Sequence, residues 1–197
     1  NGPAEMDFII ILGPPAVGKM TAGQELERLT GFKLVYNHVA MGLVAPYLSY
    51  GSPQGRRLVG KVRQAFFDAV AADPGRGYIF TFVWAFGEPG DRAVIEGVAA
   101  QFASSGHDVF WVELGAMLTE RLTRNRGENS LVHKPTKRDL EWSDQHIRDM
   151  QKTYRFNSAA GDLSYDNYVR VDNTHLSALD VAEQICQSFG FAPHEAT

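Results

Sequence analysis

The stretch Gly13–Thr21, GPPAVGKMT, decides how the rest of this 197-residue chain is read. Its spacing is GxxxxGK, that of a phosphate-binding loop. An apolar run, DFIIIL (Asp7 to Leu12), precedes it, and a helical pattern opens at Lys19. A strand before and a helix after are the context such a loop requires. Glycines let the backbone curl around phosphate oxygens, successive N–H groups point inward, and the helix N-terminus adds partial positive charge. Lys19 supplies a full charge between the β- and γ-phosphates. The whole loop, Gly13, Pro14, Pro15, Ala16, Val17, Gly18, Lys19, Met20 and Thr21, is therefore a candidate nucleotide site.

One position breaks the pattern. The residue after the lysine is normally Ser or Thr, whose hydroxyl holds a magnesium ion. Here it is Met20, and a thioether is a poor ligand for a hard cation. Many such loops carry two hydroxyls in succession, and the second survives as Thr21. The anion cradle remains while the usual metal contact is missing. Magnesium is often held by phosphates, waters and one or two protein groups, so the loss of one hydroxyl does not by itself abolish a site.

Outward from the loop, strand and helix signals alternate, the pattern of a parallel α/β sheet. Five runs read as strands: Asp7 to Leu12, Phe32 to Asn37, Tyr78 to Phe86, Asp108 to Leu114 and Asn167 to Asn173. Between them lie helical patterns. One runs from Lys19 to Leu29, with Gly31 placed to end it. Leu58, Val62, Ala65, Phe66, Ala69 and Val70 form one helical face. Ile95, Val98, Ala99 and Phe102 form another, closed by Gly106. Ser177 is placed to cap a last helix that presents Ala178, Val181, Ala182, Ile185 and Phe189. Residues 115–161 are the exception, a charged helix–loop–helix whose apolar stripe is sparse. That makes about 115–155 a candidate lid over a single domain spanning 6–197. Residues 1–5, NGPAE, read as a tag remnant or disordered lead.

Composition narrows the function classes. Hydrophobic residues make up 44% and charged residues 21%, as in ordinary globular domains, and the net charge is −4. That acidic balance argues against a sequence-independent nucleic-acid binder. The single cysteine, Cys186, excludes an intrachain disulfide and a cysteine-cluster metal site. FIIIL is too short to span a membrane. A cytoplasmic protein, monomer or homodimer, is the expectation.

The GPPAVGKMT loop, Asn37-His38 at the end of the second strand, ERLTRNR opening the lid and VDNTHLSALDVAEQI near the C-terminus together resemble small P-loop kinases. The resemblance is to the shikimate kinase, gluconate kinase and chloramphenicol phosphotransferase group, and covers the chain from Met6. It is closest to uncharacterised bacterial P-loop NTPases carrying the same loop. It implies a P-loop NTPase of nucleoside monophosphate kinase-like, three-layer α/β/α fold. The parallel sheet would have five strands in the order 2-3-1-4-5, with a helical lid. It also implies ATP and Mg2+, a small-molecule acceptor bound after strands two and three, and lid arginines that close on the phosphates. One departure matters: shikimate kinases carry acidic residues where this chain has Asn37 and His38, which argues against shikimate itself.

The remaining candidates each have a bland alternative. His38, with Asn37, stands where α/β sheets bind ligands and would orient an acceptor hydroxyl or take its proton; a helix cap serves equally. Glu88 and Asp91 are the nearest substitutes for the absent carboxylate. Glu88 with Thr21 is a candidate metal donor, and Asp91 is a candidate base or simply a cap for the next helix. Arg92 meets an anionic acceptor or lies on the surface. By resemblance, Arg121, Arg124 and Arg126 divide two roles, covering the base and reaching the transferring phosphoryl group. Solvated helix arginines give the same pattern. His133, Lys134, Lys137 and Arg138 add a second basic cluster. Asn173 and Thr174 follow the fifth strand, along the nucleotide base in the resembling kinases. Trp84 and Trp142 are candidates to line the acceptor pocket, whereas Phe82, Phe86 and Trp111 read as core. The expected activity is transfer of the γ-phosphate of ATP to a hydroxyl. The alternatives are a nucleoside monophosphate kinase, for which Arg56, Arg57, Arg63 and Arg92 are candidates, and a nucleotide-binding regulatory protein with little turnover.

Overall fold

The computed structural model describes residues 6–36, 39–49, 51–73, 75–127 and 140–192. Its strands are β1 (Asp7–Leu12), β2 (Lys33–Val35), β3 (Tyr78–Phe82), β4 (Asp108–Gly115) and β5 (Tyr168–Asp172). Its helices are α1 (Lys19–Thr30), α2 (Val39–Val44), α3 (Pro53–Ala71), α4 (Pro89–Ser104), α5 (Leu118–Asn125), α6 (Leu140–Thr153) and α7 (Ala178–Phe189). The strands form one sheet, all pairings parallel, in the order β2-β3-β1-β4-β5. This is the expected sheet.

β1 is buried along its whole length because both faces of the sheet are covered. Side chains alternate across a strand. Phe8, Ile10 and Leu12 thus enter one core with Phe67 of α3 and Ile95 and Phe102 of α4. Ile9 and Ile11 enter the other with Leu26 of α1 and Val181 and Ile185 of α7. Ser177 caps α7 through a reciprocal capping box with Asp180.

Three expectations need correction. The second strand shrinks to three residues at the sheet edge. The run Tyr78 to Phe86 stops being strand at Phe82. Its apolar character continues because Trp84 and Phe86 stack on each other, centroids 4.5 Å apart, and are buried in the loop beyond. The inward face of α3 is Val59, Phe67 and Ala71, leaving Leu58 and Phe66 exposed, so the helix is rotated by about one residue from the expected face. No helix among the described residues is long and apolar enough to cross a membrane.

Candidate phosphate-binding site and acceptor cleft

Strand pairing sets the site. Leu12 pairs with Phe82 on one side and Glu113 on the other, so the loop after β1 emerges between the ends of β3 and β4. Ligands of parallel α/β sheets bind in this crevice at the strands' carboxyl ends. Gly13 turns there at φ 146°, and a Cβ on it would stand 2.6 Å from the Leu114 carbonyl oxygen. Only glycine fits that approach. Gly18, at φ 102°, delivers the chain into α1.

The loop's carbonyls are engaged one after another. Lys19 Nζ donates to Gly13 O at 2.8 Å and to Pro14 O at 2.7 Å. Arg121 Nε donates to Pro15 O at 2.9 Å. Val17 O accepts from both Arg124 Nη1, at 2.9 Å, and Asn173 Nδ2, at 2.8 Å. Gly18 O accepts from the Thr21 hydroxyl at 2.9 Å. Met20 packs against the core between the sheet and helices α1 and α7. The residue that breaks the motif thus has a packing role.

The three arginines occupy different settings. Arg121 is 3% exposed, and its other contact is Gln151 Oε1 at 2.6 Å; burial brings its pKa down to about 10, so it stays charged at neutral pH. Arg124 spends its remaining nitrogens on Glu120 and on the carbonyls of Asn173 and Thr174. Arg126 pairs with the buried Asp144 of α6 at 2.6 Å while its own side chain stays 63% exposed. Asn125 bonds Ser143 and Asp144, so α5 and α6 are joined by buried polar contacts. Thr174 Oγ1 accepts from the Met117 N–H at 3.1 Å, tying the loop after β5 to the start of α5.

A cleft of about 270 Å³ opens on the other side, lined by Trp84, Phe86, Glu88, Arg92, Arg155 and Asp162 among others. Glu88 is exposed at the start of α4. Asp91 turns back, accepting from the Ala85 N–H at 2.9 Å, so it fixes the loop after β3. Arg92 lies 5.0 Å over the Trp84 ring and is held by Glu96 and Asp162 O. Arg155 lies over Phe86 and pairs with Asp162. That pairing holds the Asp162 carboxyl below its usual range. Trp142 is exposed on α6, stacked on His146. Asn37, His38, His133, Lys134, Lys137 and Arg138 lie outside the described residues.

Sequence reasoning missed the support behind this cleft. Glu113 of β4 is fully buried and accepts from Asn157 Nδ2, Ser158 N, Ser158 Oγ and Tyr168 OH at 2.6–2.9 Å. Burial alone would raise its pKa, but the hydrogen bonds from Ser158, Asn157 and Tyr168 outweigh it and hold the carboxyl below its usual value. The signal was a carboxylate inside the apolar run Val109 to Leu114.

A parallel sheet in this order, with a glycine loop between β1 and α1, defines a P-loop NTPase fold of the kinase-like kind. Solved structures share it. The tunicamycin resistance protein of Deinococcus radiodurans aligns over 98% of this chain and 100% of its own, with TM-score 0.56 and 18% identity. Shikimate kinase from Acinetobacter baumannii, solved with shikimate, aligns over 94% of both chains, with TM-score 0.56 and 16% identity. A fungal RNA kinase covers 94% of this chain and 88% of its own, with TM-score 0.59 and 13% identity. No family model and no curated protein sequence matches the chain.

Proposed function

We propose that the protein is an ATP-dependent phosphotransferase that moves the γ-phosphate to a hydroxyl of a small molecule. The observation that carries this reading is the Gly13–Gly18 turn at the start of α1. Its carbonyls are taken up by protein donors, and Lys19 lies across it. A cradle that presents amides and one ammonium group to an anion needs that arrangement. In the reaction the acceptor oxygen forms a bond to Pγ, the bond from Pγ to the β–γ bridging oxygen breaks, and the acceptor proton passes to a base, with His38 and Asp91 as the candidates. Such transfer depends mainly on positioning and charge stabilisation. Lys19 carries the ground-state and developing charge, and Arg126, exposed at the end of α5, is the lid arginine best placed to leave its partner and join it. Neither the Thr21 hydroxyl nor the Glu88 carboxylate is a soft donor, so both suit Mg2+, which when bound would neutralise charge on the phosphates.

The acceptor is proposed to sit in the cleft between Glu88 and Asp162. There Arg92 is already bound to Glu96, and Arg155 to Asp162. Paired arginines favour an alcohol acceptor over a monophosphate, whose dianion needs uncommitted cations. A coupled ADP-release assay with a panel of small alcohols and nucleoside monophosphates tests the choice. Turnover confined to monophosphates would reverse it. If calorimetry on folded protein detects no uptake of ATP or GTP, with or without divalent ions, the kinase reading itself fails.

A further inference from the structure

We propose that Arg121, Arg124 and Asn173 form a clasp that holds the phosphate loop in its binding shape, acting through the loop's backbone. The inference rests on the phosphate-binding reading of Gly13–Thr21. It assigns the two arginines a task different from covering the base or touching the transferring phosphoryl group.

The loop contains a conformation that needs holding. Ala16 has φ 61° and is the sole non-glycine residue with positive φ among the described residues. Side chains other than glycine rarely adopt that geometry, and it persists where neighbouring structure over-determines it. The carbonyls on either side of Ala16 are the ones the clasp grips. Arg121 holds Pro15 O, and Arg124 with Asn173 holds Val17 O. The donors also close on the loop's exit: a Cβ on Gly18 would lie 3.5 Å from Asn173 Nδ2 and 3.6 Å from Arg124 Nη1.

The choice of residue types follows. One guanidinium fork bridges Val17 O, Asn173 O and Thr174 O, which ties the phosphate loop to the loop after β5; an ammonium group lacks that planar spread. Asn173 is 3% exposed and adds the second donor to Val17 O. Arg121 is equally buried, its two bonded partners are neutral, and its Nη2 has no hydrogen-bond partner. A positive charge therefore stands directly behind Pro15, and a polyphosphate across the loop is the counter-ion it lacks.

The clasp predicts how affinity divides between phosphates and base. Calorimetry would compare ATP with inorganic triphosphate on wild type, Arg124→Lys and Asn173→Ala, each variant checked for wild-type circular dichroism and cooperative melting. Arg124→Gln is kept as a second variant at that position. Each substitution should weaken both ligands alike, by about tenfold, the loss of one hydrogen bond to a charged group or its equivalent. Ala16→Gly, added to Asn173→Ala, should recover about two- to fivefold by relieving the held geometry. Weaker ATP binding with unchanged triphosphate binding would mean that these side chains read the base, and would overturn the proposal. So would unchanged affinity for both ligands, or no recovery from Ala16→Gly. If wild type binds neither ligand, the phosphate-loop reading itself is what fails.

Discussion

The two walls of the crevice are built on opposite terms. On the proposed nucleotide side, the buried Arg121 and Asn173 and the part-buried Arg124 and Lys19 converge on backbone carbonyls of one short loop. On the proposed acceptor side, Arg92 pairs with Glu96 and Arg155 with Asp162, all partly exposed. Buried hydrogen bonds to the main chain fix a geometry; exposed pairs are screened and rearrange at little cost. On the function proposed above, the first wall would be pre-organised for a constant ligand, the polyphosphate, and the second would re-pair around an acceptor whose shape varies.

That contrast is broken most directly at Lys19. Lys19→Ala should lower acceptor-dependent ADP release by about 10²–10³-fold, the scale for removing one charged stabiliser from a phosphoryl-transfer site. The fold should remain, because Lys19 is only part-buried at the start of α1 and lies outside the packed core of the sheet. Wild-type turnover in this variant would remove the loop from the mechanism.

The next largest effect tests what lies beneath the acceptor wall. Glu113→Gln leaves a neutral amide where Asn157, Ser158 and Tyr168 all donate, and misplaces at least one donor in a buried network. It should cost about 2–4 kcal/mol of stability, read by urea or thermal unfolding. ATP affinity of the folded variant should hold near wild type, since Glu113 supports the 157–158 segment rather than the phosphate loop. A parallel loss of ATP affinity would show that the two walls are one mechanical unit.

How much of this was legible in the sequence divides along the same line. The parallel α/β pattern and the loop between β1 and α1 follow from short-range signals: continuous apolar runs, a glycine motif, and helix caps such as Ser177; the strand order comes only through the resemblance to small P-loop kinases. The partners of the loop follow from neither. Arg121 and Pro15 are 106 residues apart, and Asn173 and Val17 are 156 apart. Spacing on a helix says which arginines share a face, but nothing about which distant carbonyl a guanidinium meets. The aromatic run Tyr78 to Phe86 misled for a related reason: periodicity reports burial, and a buried loop carries the same apolar residues as a strand. Glu113 was visible as an anomaly, but its donors lie in a segment with no local signal. The same limit applies to the rotation of α3 by one residue, since Leu58 and Phe66 continue the apolar pattern while facing solvent.

A smaller effect lies at the opposite, amino-terminal end of the strands, beside the starts of β3 and β4 and away from both walls. His107 is buried against Tyr78 and Phe102, and neither ring nitrogen makes a hydrogen bond of normal geometry. Burial lowers its pKa, with the backbone at Arg76 and Phe102 pulling weakly the other way. The folded protein therefore holds it neutral while the unfolded chain takes up a proton below about pH 6.5. The unfolded state binds more protons in that window, so stability falls as pH drops below about 6.5, by at most about 1.4 kcal/mol per pH unit for one group. The loss levels off below the folded pKa. His107→Leu should remove this part of the pH dependence, and an unchanged profile would assign it elsewhere.

The smallest effect is the one that most sharpens the comparison. Asp162 anchors the acceptor wall through Arg155, yet both partners are open to water. Exposed pairs contribute little, so Asp162→Asn should move the melting temperature by no more than about 2 °C and leave ATP affinity unchanged. It also uncouples Arg155 from its carboxylate, and the freed guanidinium should now attract a phosphate. Inhibition of ADP release by nucleoside monophosphates should therefore strengthen in the variant relative to wild type, and weaken again as salt is raised. No gain in monophosphate inhibition would mean that the paired arginines are not what biases this cleft toward alcohols, and the choice of acceptor class would then rest on shape rather than charge.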